Sequence, residues 1–222
     1  MLTKDRSYHT RLSAAWVRGQ LAEQFPEDPL FSKNLSDLTL VEQNDLVRIG
    51  KQREDLDTEF LKMPPMNEAI KEILQILLAV QPDHLADLSA DEQRTGFLWH
   101  LVNTLPFLPV TSLEVSNQWR PHIEALMRGG VRQIKVQETD PLKMANLRGN
   151  QFDVVTCVQA LTLVQDLKSA FGELVRIAKR YILISLPKTI SRAEIEELKE
   201  DMSLMQFKVT NLEDAWVIMA RK

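Results

Sequence analysis

The sequence has little of what typically marks a secreted or metal-binding protein. It contains one cysteine, Cys157, among 222 residues, which excludes an intramolecular disulfide. The four histidines lie far apart and show no zinc-ligand spacing. No run approaches the roughly 18 apolar residues of a membrane span, and residues 1–12 lack the apolar core of a signal peptide. These absences predict a cytoplasmic protein without a metal site.

An excess of charge of one sign is also absent. There are 27 lysines and arginines against 31 aspartates and glutamates, which gives a net charge of -4 and an isoelectric point near 5.7. Such a chain has no general attraction to nucleic acid or anionic lipid, although a local basic patch is compatible with this balance. We therefore expect neither nucleic acid nor a membrane as the partner.

The clearest pattern that the sequence does contain is strand, helix, strand over residues 152–187. Residues 152–157 (FDVVTC) and 181–186 (YILISL) are short β-branched, apolar runs, as expected of strands buried on both faces. Between them, apolar residues recur at steps of three and four, the period of a helix with one buried face. This combination predicts a parallel βαβ unit with a right-handed crossover.

The same alternation extends over the rest of the chain after residue 64. Further strands are predicted at residues 84–88, 110–115 and 131–136, each followed by helical or turn residues. Residues 207–210 and 215–220 are joined by so short a turn that they must be antiparallel. The sequence thus predicts five strands separated by helices and closed by a C-terminal hairpin.

Residues 1–63 show helical periodicity without strand signals. Residues 34–37 offer caps for a helix that continues through residues 38–49, and Pro64 and Pro65 interrupt the pattern. We therefore divide the chain into an N-terminal helical extension, 1–63, and an α/β domain, 64–222. The extension could cover a substrate pocket, or form contacts with a second copy or another protein.

The order of these elements, together with residues 152–157, 173–179 and 180–187, resembles the class I S-adenosylmethionine-dependent methyltransferases of the small-molecule type. The resemblance covers roughly residues 64–222. It implies a Rossmann-like fold, an α/β doubly wound, seven-stranded and mainly parallel sheet with strand order 3-2-1-4-5-7-6 and strand seven antiparallel.

The resemblance also implies S-adenosylmethionine as the cofactor, bound where strands one to four end. Glu114 stands where the family binds the ribose hydroxyls, and Asp140, or Thr139 in an alignment shifted by one, where it binds the adenine amino group. The candidate cofactor-binding residues are Asp87, Ser89, Gly96, Glu114, Val115, Thr139, Asp140, Cys157 and Gln159.

Two features depart from the family pattern. The loop after strand one keeps Asp87 and Gly96, but it is longer than usual and carries side chains in place of two earlier glycines. Asp91 in this loop could instead cap the next helix. Leu163 stands where relatives commonly have a histidine, so no catalytic residue can be assigned. Cys157 taken alone is typical of a buried structural thiol.

Two hypotheses follow from these residues. The first is an S-adenosylmethionine-dependent methyltransferase acting on a small-molecule acceptor, which the retained acids Asp87, Glu114 and Asp140 favour. The second is a cofactor-free pseudoenzyme that serves as an interaction or regulatory protein, which the altered loop and Leu163 favour. A dinucleotide-binding protein is weaker, because acids in the loop would repel phosphates. We favour the enzyme.

Overall fold

The computed structural model describes residues 6–62, 65–88, 96–114, 120–158, 166–200 and 202–222. Within them, seven strands form one sheet in the order β3-β2-β1-β4-β5-β7-β6. The strands are β1 (Leu85–Asp87), β2 (Val110–Glu114), β3 (Ile134–Glu138), β4 (Phe152–Val158), β5 (Ala178–Pro187), β6 (Gln206–Asn211) and β7 (Ala215–Arg221). Strands β1 to β5 pair in parallel and β7 is antiparallel to both neighbours, which confirms the predicted order and the predicted hairpin.

Helices cover both faces of this sheet, as in a doubly wound fold. They are α1 (Arg6–Leu21), α2 (Pro29–Ser32), α3 (Leu40–Lys51), α4 (Glu68–Val80), α5 (Gly96–Thr104), α6 (Arg120–Arg128), α7 (Leu167–Ile177) and α8 (Arg192–Glu197), with short 3-10 turns at Leu35–Asp37 and Thr58–Leu61. Side chains alternate between the faces, so the first core contains Leu85 and Val154 with α1 and α3 to α6, and the second contains Ala86 and Val155 with α7 and α8.

Helix α5 explains why the N-terminal helices are needed. All its residues from Gly96 to Asn103 are buried, and the sequence GFLWHLVN offers no polar face to solvent. A helix that is apolar all round must be covered on every side. The N-terminal region supplies this cover, because α1 packs against α5 and the ring of Phe60 meets that of Trp99 edge-on at 5.5 Å.

Helices α1 and α6 cross at small residues spaced four apart. A Cβ atom placed on Gly19 would lie 1.8 Å from the carbonyl oxygen of Ala125, and one placed on Gly129 would lie 1.7 Å from that of Ala15. Only glycine allows the two backbones to approach so closely. The Arg18 guanidinium, which is buried, donates to the carbonyl of Gly129 at 3.3 Å and so fixes the crossing.

Some predicted boundaries were wrong by two to five residues. The third strand begins at Ile134 instead of residue 131, because the turn after α6 continues beyond Gly130 and buries Val131 against the helices. Helix α3 is capped by Thr39, in a reciprocal pair with Glu42, and not by residues 34–37, which form a separate 3-10 turn. The predicted division at residue 63 stays a prediction, and the first core joins both parts.

The segment between β3 and β4 is held to α7 by Glu173 and Arg176, two residues of that helix that pair with each other and bind the backbone of the segment. Arg176 donates to the carbonyls of Met144 (2.7 Å) and Leu147 (2.9 Å), and its Nε lies 2.8 Å from the Glu173 carboxylate. Glu173 also accepts from the backbone N–H of Met144 at 2.7 Å. Hydrogen bonds with Arg176 and then with this N–H hold the pKa of Glu173 below its ordinary value of 4.5.

Replacing Arg176 by alanine is expected to lower the free energy of unfolding by about 1 to 3 kcal/mol, since three hydrogen-bonding groups lose a charged partner. Because the pKa of Glu173 is lower in the folded protein, the native chain gains stability above pH 4.5 and loses it as the pH falls below that value. The variant should lose less stability on acidification. Urea unfolding at several pH values measures both effects.

Arg192→Ala is the control, since Arg192 makes an exposed pair with Glu196 and a distant contact with the Trp216 ring at 5.9 Å, and both are expected to contribute little. Equal losses for the two arginine variants would contradict the assigned role of Arg176.

Candidate functional site

Three neighbouring parallel strands end in acidic residues at the same edge of the sheet. Asp87 ends β1, Glu114 ends β2 and Glu138 ends β3, and the register pairs Glu114 with Glu138 directly. The opposite edge carries His84 before β1 and Lys135 within the first residues of β3. The carboxyl edge therefore carries three acidic residues, of which Glu138 pairs with Arg120 at 3.6 Å. The amino edge carries charges of both signs, since Asp83 precedes β1 and Asp153 lies near the start of β4.

Asp87 lies where the direction of the strand order reverses. Strand β1 leads outward to β2 and β3, whereas β4 leads to β5 on the other side, so the switch point falls between β1 and β4. Asp87 pairs with Thr156 of β4 in register, and the Thr156 hydroxyl donates to Asp87 Oδ1 at 2.6 Å. Both residues are fully buried. Crevices at such switch points are where open α/β sheets bind ligands.

The beginnings of α5 and α6 approach the same edge, because helices that follow parallel strands start at the carboxyl end. Gly96, the first residue of α5, is buried. The rings of Trp99 in α5 and His122 in α6 both meet Phe60, and the Phe60 and His122 rings stack at 4.3 Å. The Trp16 ring stacks with both of these rings, at 5.3 Å from Phe60 and 6.0 Å from His122, and its indole N–H donates to His122 Nδ1 at 3.3 Å. The 3-10 turn Thr58–Leu61 is thereby fixed close to the carboxyl edge.

Thr139 and Asp140, the two alternative candidates after β3 for the adenine contact, have different surroundings. Thr139 is buried and Asp140 is exposed. Asp140 accepts the backbone N–H of Leu142 at 2.9 Å, which closes a local turn, and Asn146 binds the carbonyl of Glu138 at 2.9 Å. These residues border an open depression of about 370 Å³. Asp140 retains a free oxygen for a ligand, whereas the Thr139 side chain faces Asn146.

Cys157 lies apart from this group. It is completely buried on the other face of β4, in the second core with Ala86, Leu113 and Phe171. Because successive side chains of a strand point to opposite faces, Cys157 and Thr156 cannot line the same surface. The position favours a structural thiol, and a cofactor contact from Cys157 stays a prediction.

Several predicted positions lie outside the described residues. They are Ser89, Val115 and Gln159, together with the loop residue Asp91 and the position Leu163. Glu114 is described as the last residue of β2. The roles of all these residues stay predictions.

Sequence reasoning missed two residues near the edge, Thr156 and Phe60. The available signal for Thr156 was a threonine in a buried strand whose other residues, apart from Asp153 near its start, are apolar, since β1 and β4 are neighbours in the predicted order. No signal in the sequence identified Phe60, because its partners belong to helices distant in the chain.

A family model described as a methyltransferase domain matches residues 95–182, from the start of α5 into β5. This match includes β2, β3 and β4 and the helices α5, α6 and α7, whereas β1 with Asp87 precedes it. Over these residues the chain is similar to methyltransferase domains, in agreement with the predicted resemblance to class I S-adenosylmethionine-dependent methyltransferases. The predicted fold is thus confirmed, and the similarity to this family implies S-adenosylmethionine as the cofactor. No curated protein gives a significant match to the sequence.

Solved structures share the methyltransferase fold at low identity. A SAM-dependent methyltransferase from Aquifex aeolicus has 16% identity and a TM-score of 0.52, covering 70% of this chain and 99% of its own. The CurJ carbon methyltransferase has 13% identity and a TM-score of 0.57, covering 92% and 69%. PigF, solved with SAH, has 11% identity and a TM-score of 0.55, covering 68% and 53%. The CurJ coverage is broad enough to include part of the N-terminal helices.

Two further properties of the described residues bear on metal binding and on membrane insertion. Among the described residues, no cluster of three or more histidine, cysteine, aspartate or glutamate side chains could hold a metal ion. Within the same part of the chain, every helix is too short or too polar to cross a membrane.

Proposed function

We propose that the protein transfers a methyl group from S-adenosylmethionine to a small-molecule acceptor at the carboxyl edge of the sheet. The observation that supports this most directly is the hydrogen bond between Thr156 and Asp87, which places a buried carboxyl group at the switch point between β1 and β4. The hydroxyl of Thr156 fixes the orientation of this carboxyl group before any ligand arrives.

The acidic edge fits the proposed cofactor by charge. S-adenosylmethionine carries a sulfonium and an ammonium group, and when bound it supplies an activated methyl group. Asp87 and Glu114 end two adjacent strands, so negative charge lies at the edge where these cations would be held, while Glu138 at the end of β3 is paired with Arg120 at 3.6 Å. A second carboxylate oxygen on Glu114 could accept hydrogen bonds from a pair of neighbouring hydroxyls.

The chain's own contribution to the transfer would be positioning and exclusion of water. Because the methyl donor is already activated, an aligned acceptor does not require a catalytic base, and Leu163 in place of a histidine is compatible with activity. The turn Thr58–Leu61, held by Phe60 against Trp99 and His122, lies close enough to the edge to form one wall of an acceptor pocket. The acceptor pocket would then be shared by the N-terminal helices and the α/β domain.

The cofactor-free interaction protein is the alternative. The family match and the fold do not favour it, and its support is confined to residues 89–95 and Leu163, outside the described residues. The two functions differ in one observable, since the alternative requires that neither S-adenosylmethionine nor its demethylated product binds.

Glu114→Ala is expected to weaken binding of S-adenosylhomocysteine by about 1.5 to 3 kcal/mol, the usual loss for hydrogen bonds to a charged group. That corresponds to a dissociation constant roughly 10 to 150 times higher. Isothermal titration of the purified variant measures it.

Glu213→Ala is the matched control, because Glu213 is an exposed acid in the turn between β6 and β7, at the far end of the sheet. Unchanged affinity in Glu114→Ala would remove Glu114 from the site. A loss of the same size in both variants would show a general charge effect instead.

A further inference from the structure

We propose that a cleft at the amino edge of the sheet binds a small ligand carrying two or more phosphate groups. The cleft lies opposite the proposed cofactor edge and has a volume of about 1020 Å³. Its walls come from α1, the residues after α2, the end of α6 and the beginnings of β1 to β3. Its described cations are Arg11, Arg18, Lys33, Arg128, Arg132 and Lys135.

The charge of this cleft departs from that of the whole chain. The chain has more acidic than basic residues, 31 against 27, yet no aspartate or glutamate occurs among the described residues that line the cleft. Like charges gathered in one concavity repel each other and raise the local concentration of anions. A ligand with several negative charges would relieve this repulsion.

Three of these six cations already have hydrogen-bonding or ion-pair partners within the protein. Arg18 donates to backbone carbonyls of Phe31, Lys33 and Gly129, and Arg128 donates to the carbonyl of Gly19 at 3.1 Å. Lys33 pairs with Glu42 at 2.7 Å.

The other three cations, Arg11, Arg132 and Lys135, form no ion pair with a carboxylate of the described residues. Arg132 and Lys135 are moreover exposed. Arginine and lysine side chains in this state are available to phosphate oxygens.

The cleft also offers an apolar surface beside the cations. Phe107 is 86% exposed and Met127 is 36% exposed, and both line the cleft. An exposed aromatic ring next to cations is suited to stacking with a nucleobase. The volume is that of a small-molecule site, so a nucleotide fits better than a polymer. Nucleotides and inorganic polyphosphate share the phosphate chemistry, and the choice between them is left to experiment.

The test is isothermal titration of the full chain with ATP, inorganic tripolyphosphate and adenosine at low salt. ATP and tripolyphosphate should bind and adenosine should not, and Arg132→Ala/Lys135→Ala should weaken binding at least about tenfold. The control, Arg148→Ala/Lys179→Ala, removes two exposed cations outside the cleft and should leave binding unchanged. Stronger binding of ATP than of tripolyphosphate would identify a nucleotide; equal binding would identify a site for phosphates alone.

Three outcomes would overturn the proposal. They are no binding of either phosphate compound at about millimolar concentration, an equal loss in the control variant, and binding of adenosine as tight as that of ATP. Saturating S-adenosylhomocysteine should leave ATP binding unchanged, and competition between the two would assign ATP to the cofactor edge instead.

His84 provides a second readout at the same place. Its Nε2 lies 3.1 Å from the Thr111 hydroxyl, and burial followed by the charge of Lys135 lowers its pKa, while Asp153 opposes this effect. Phosphates bound in the cleft should raise the pKa of His84, measured by NMR titration with and without tripolyphosphate. Binding that leaves this pKa unchanged would place the phosphates elsewhere.

Discussion

Replacing Asp87 by asparagine is expected to weaken binding of S-adenosylmethionine at least about tenfold, with little change in stability. Asparagine has the same shape and can still accept the hydrogen bond that Thr156 donates at 2.6 Å. It removes the negative charge, which would face the cationic groups of the cofactor at the switch point, and it replaces the second carboxylate oxygen by an NH2 donor. Titration calorimetry and urea unfolding of the same preparation separate the two effects.

Asp153 provides a matched control on the neighbouring strand. It is also buried, but it lies at the beginning of β4, where it accepts the backbone N–H of Asp83 at 3.0 Å and pairs with Arg180 at 3.4 Å. Asp153→Asn should therefore lower stability by about 1 to 3 kcal/mol without changing cofactor affinity. If Asp87→Asn behaves in the same way as Asp153→Asn, Asp87 has a structural role and the site lies elsewhere.

Gly129→Ala is expected to lower the free energy of unfolding by at least about 3 kcal/mol, because a side chain that overlaps backbone atoms can be accommodated only by moving a whole helix. The new Cβ would lie 1.7 Å from the carbonyl oxygen of Ala15, so α1 must move away from α6. That movement would also disturb the contact of α1 with α5, the helix that begins at the proposed cofactor site. Urea unfolding measures the loss.

Gly172→Ala and Gly149→Ala are the controls for this effect. Their added Cβ atoms would meet the flexible end of Met202 at 3.4 Å and the carbonyl oxygen of Arg176 at 3.5 Å, which are tolerable contacts. Gly172 lies within α7, where alanine is favoured over glycine by about 0.5 to 1 kcal/mol. A Gly129→Ala protein as stable as these two would contradict the close crossing of α1 and α6.

The α/β part of the fold could be predicted from sequence because its signals are local. Residues 152–157 and 181–186 are largely apolar on both faces. The intervening helix has a single apolar face. These features indicate a parallel unit wherever they occur. The C-terminal hairpin could be predicted because the turn between residues 207–210 and 215–220 is too short for a parallel connection. The strand order itself came from the resemblance to the methyltransferase family.

The arrangement of the N-terminal helices could not be predicted, because it depends on contacts between distant segments. Gly19 and Gly129 are 110 positions apart, and nothing near either glycine shows that a second backbone approaches it. The same holds for Phe60, whose ring partners are Trp16, Trp99 and His122. Apolar residues in helices predict burial, but they do not name the partner.

The candidate site was predictable in position more than in chemistry. Strand ends followed from the pattern, so Asp87 and Glu114 could be placed at one edge before the structure was known. The function of the Asp87 carboxyl group depends on Thr156, which becomes its neighbour only when β1 and β4 pair. The basic cleft was not predictable at all, because its cations come from α1, the residues after α2, α6 and the beginning of β3.

Isothermal titration of the purified wild-type protein with S-adenosylmethionine and S-adenosylhomocysteine is the most direct test of cofactor binding at the carboxyl edge. We predict binding of at least one of them with a dissociation constant of about 1 to 100 μM, lost or weakened in Asp87→Asn and retained in Asp153→Asn. Absence of heat and of any thermal shift with both ligands at about millimolar concentration would contradict the proposed function. That result would leave a methyltransferase fold without its cofactor, and the search would turn to a protein partner.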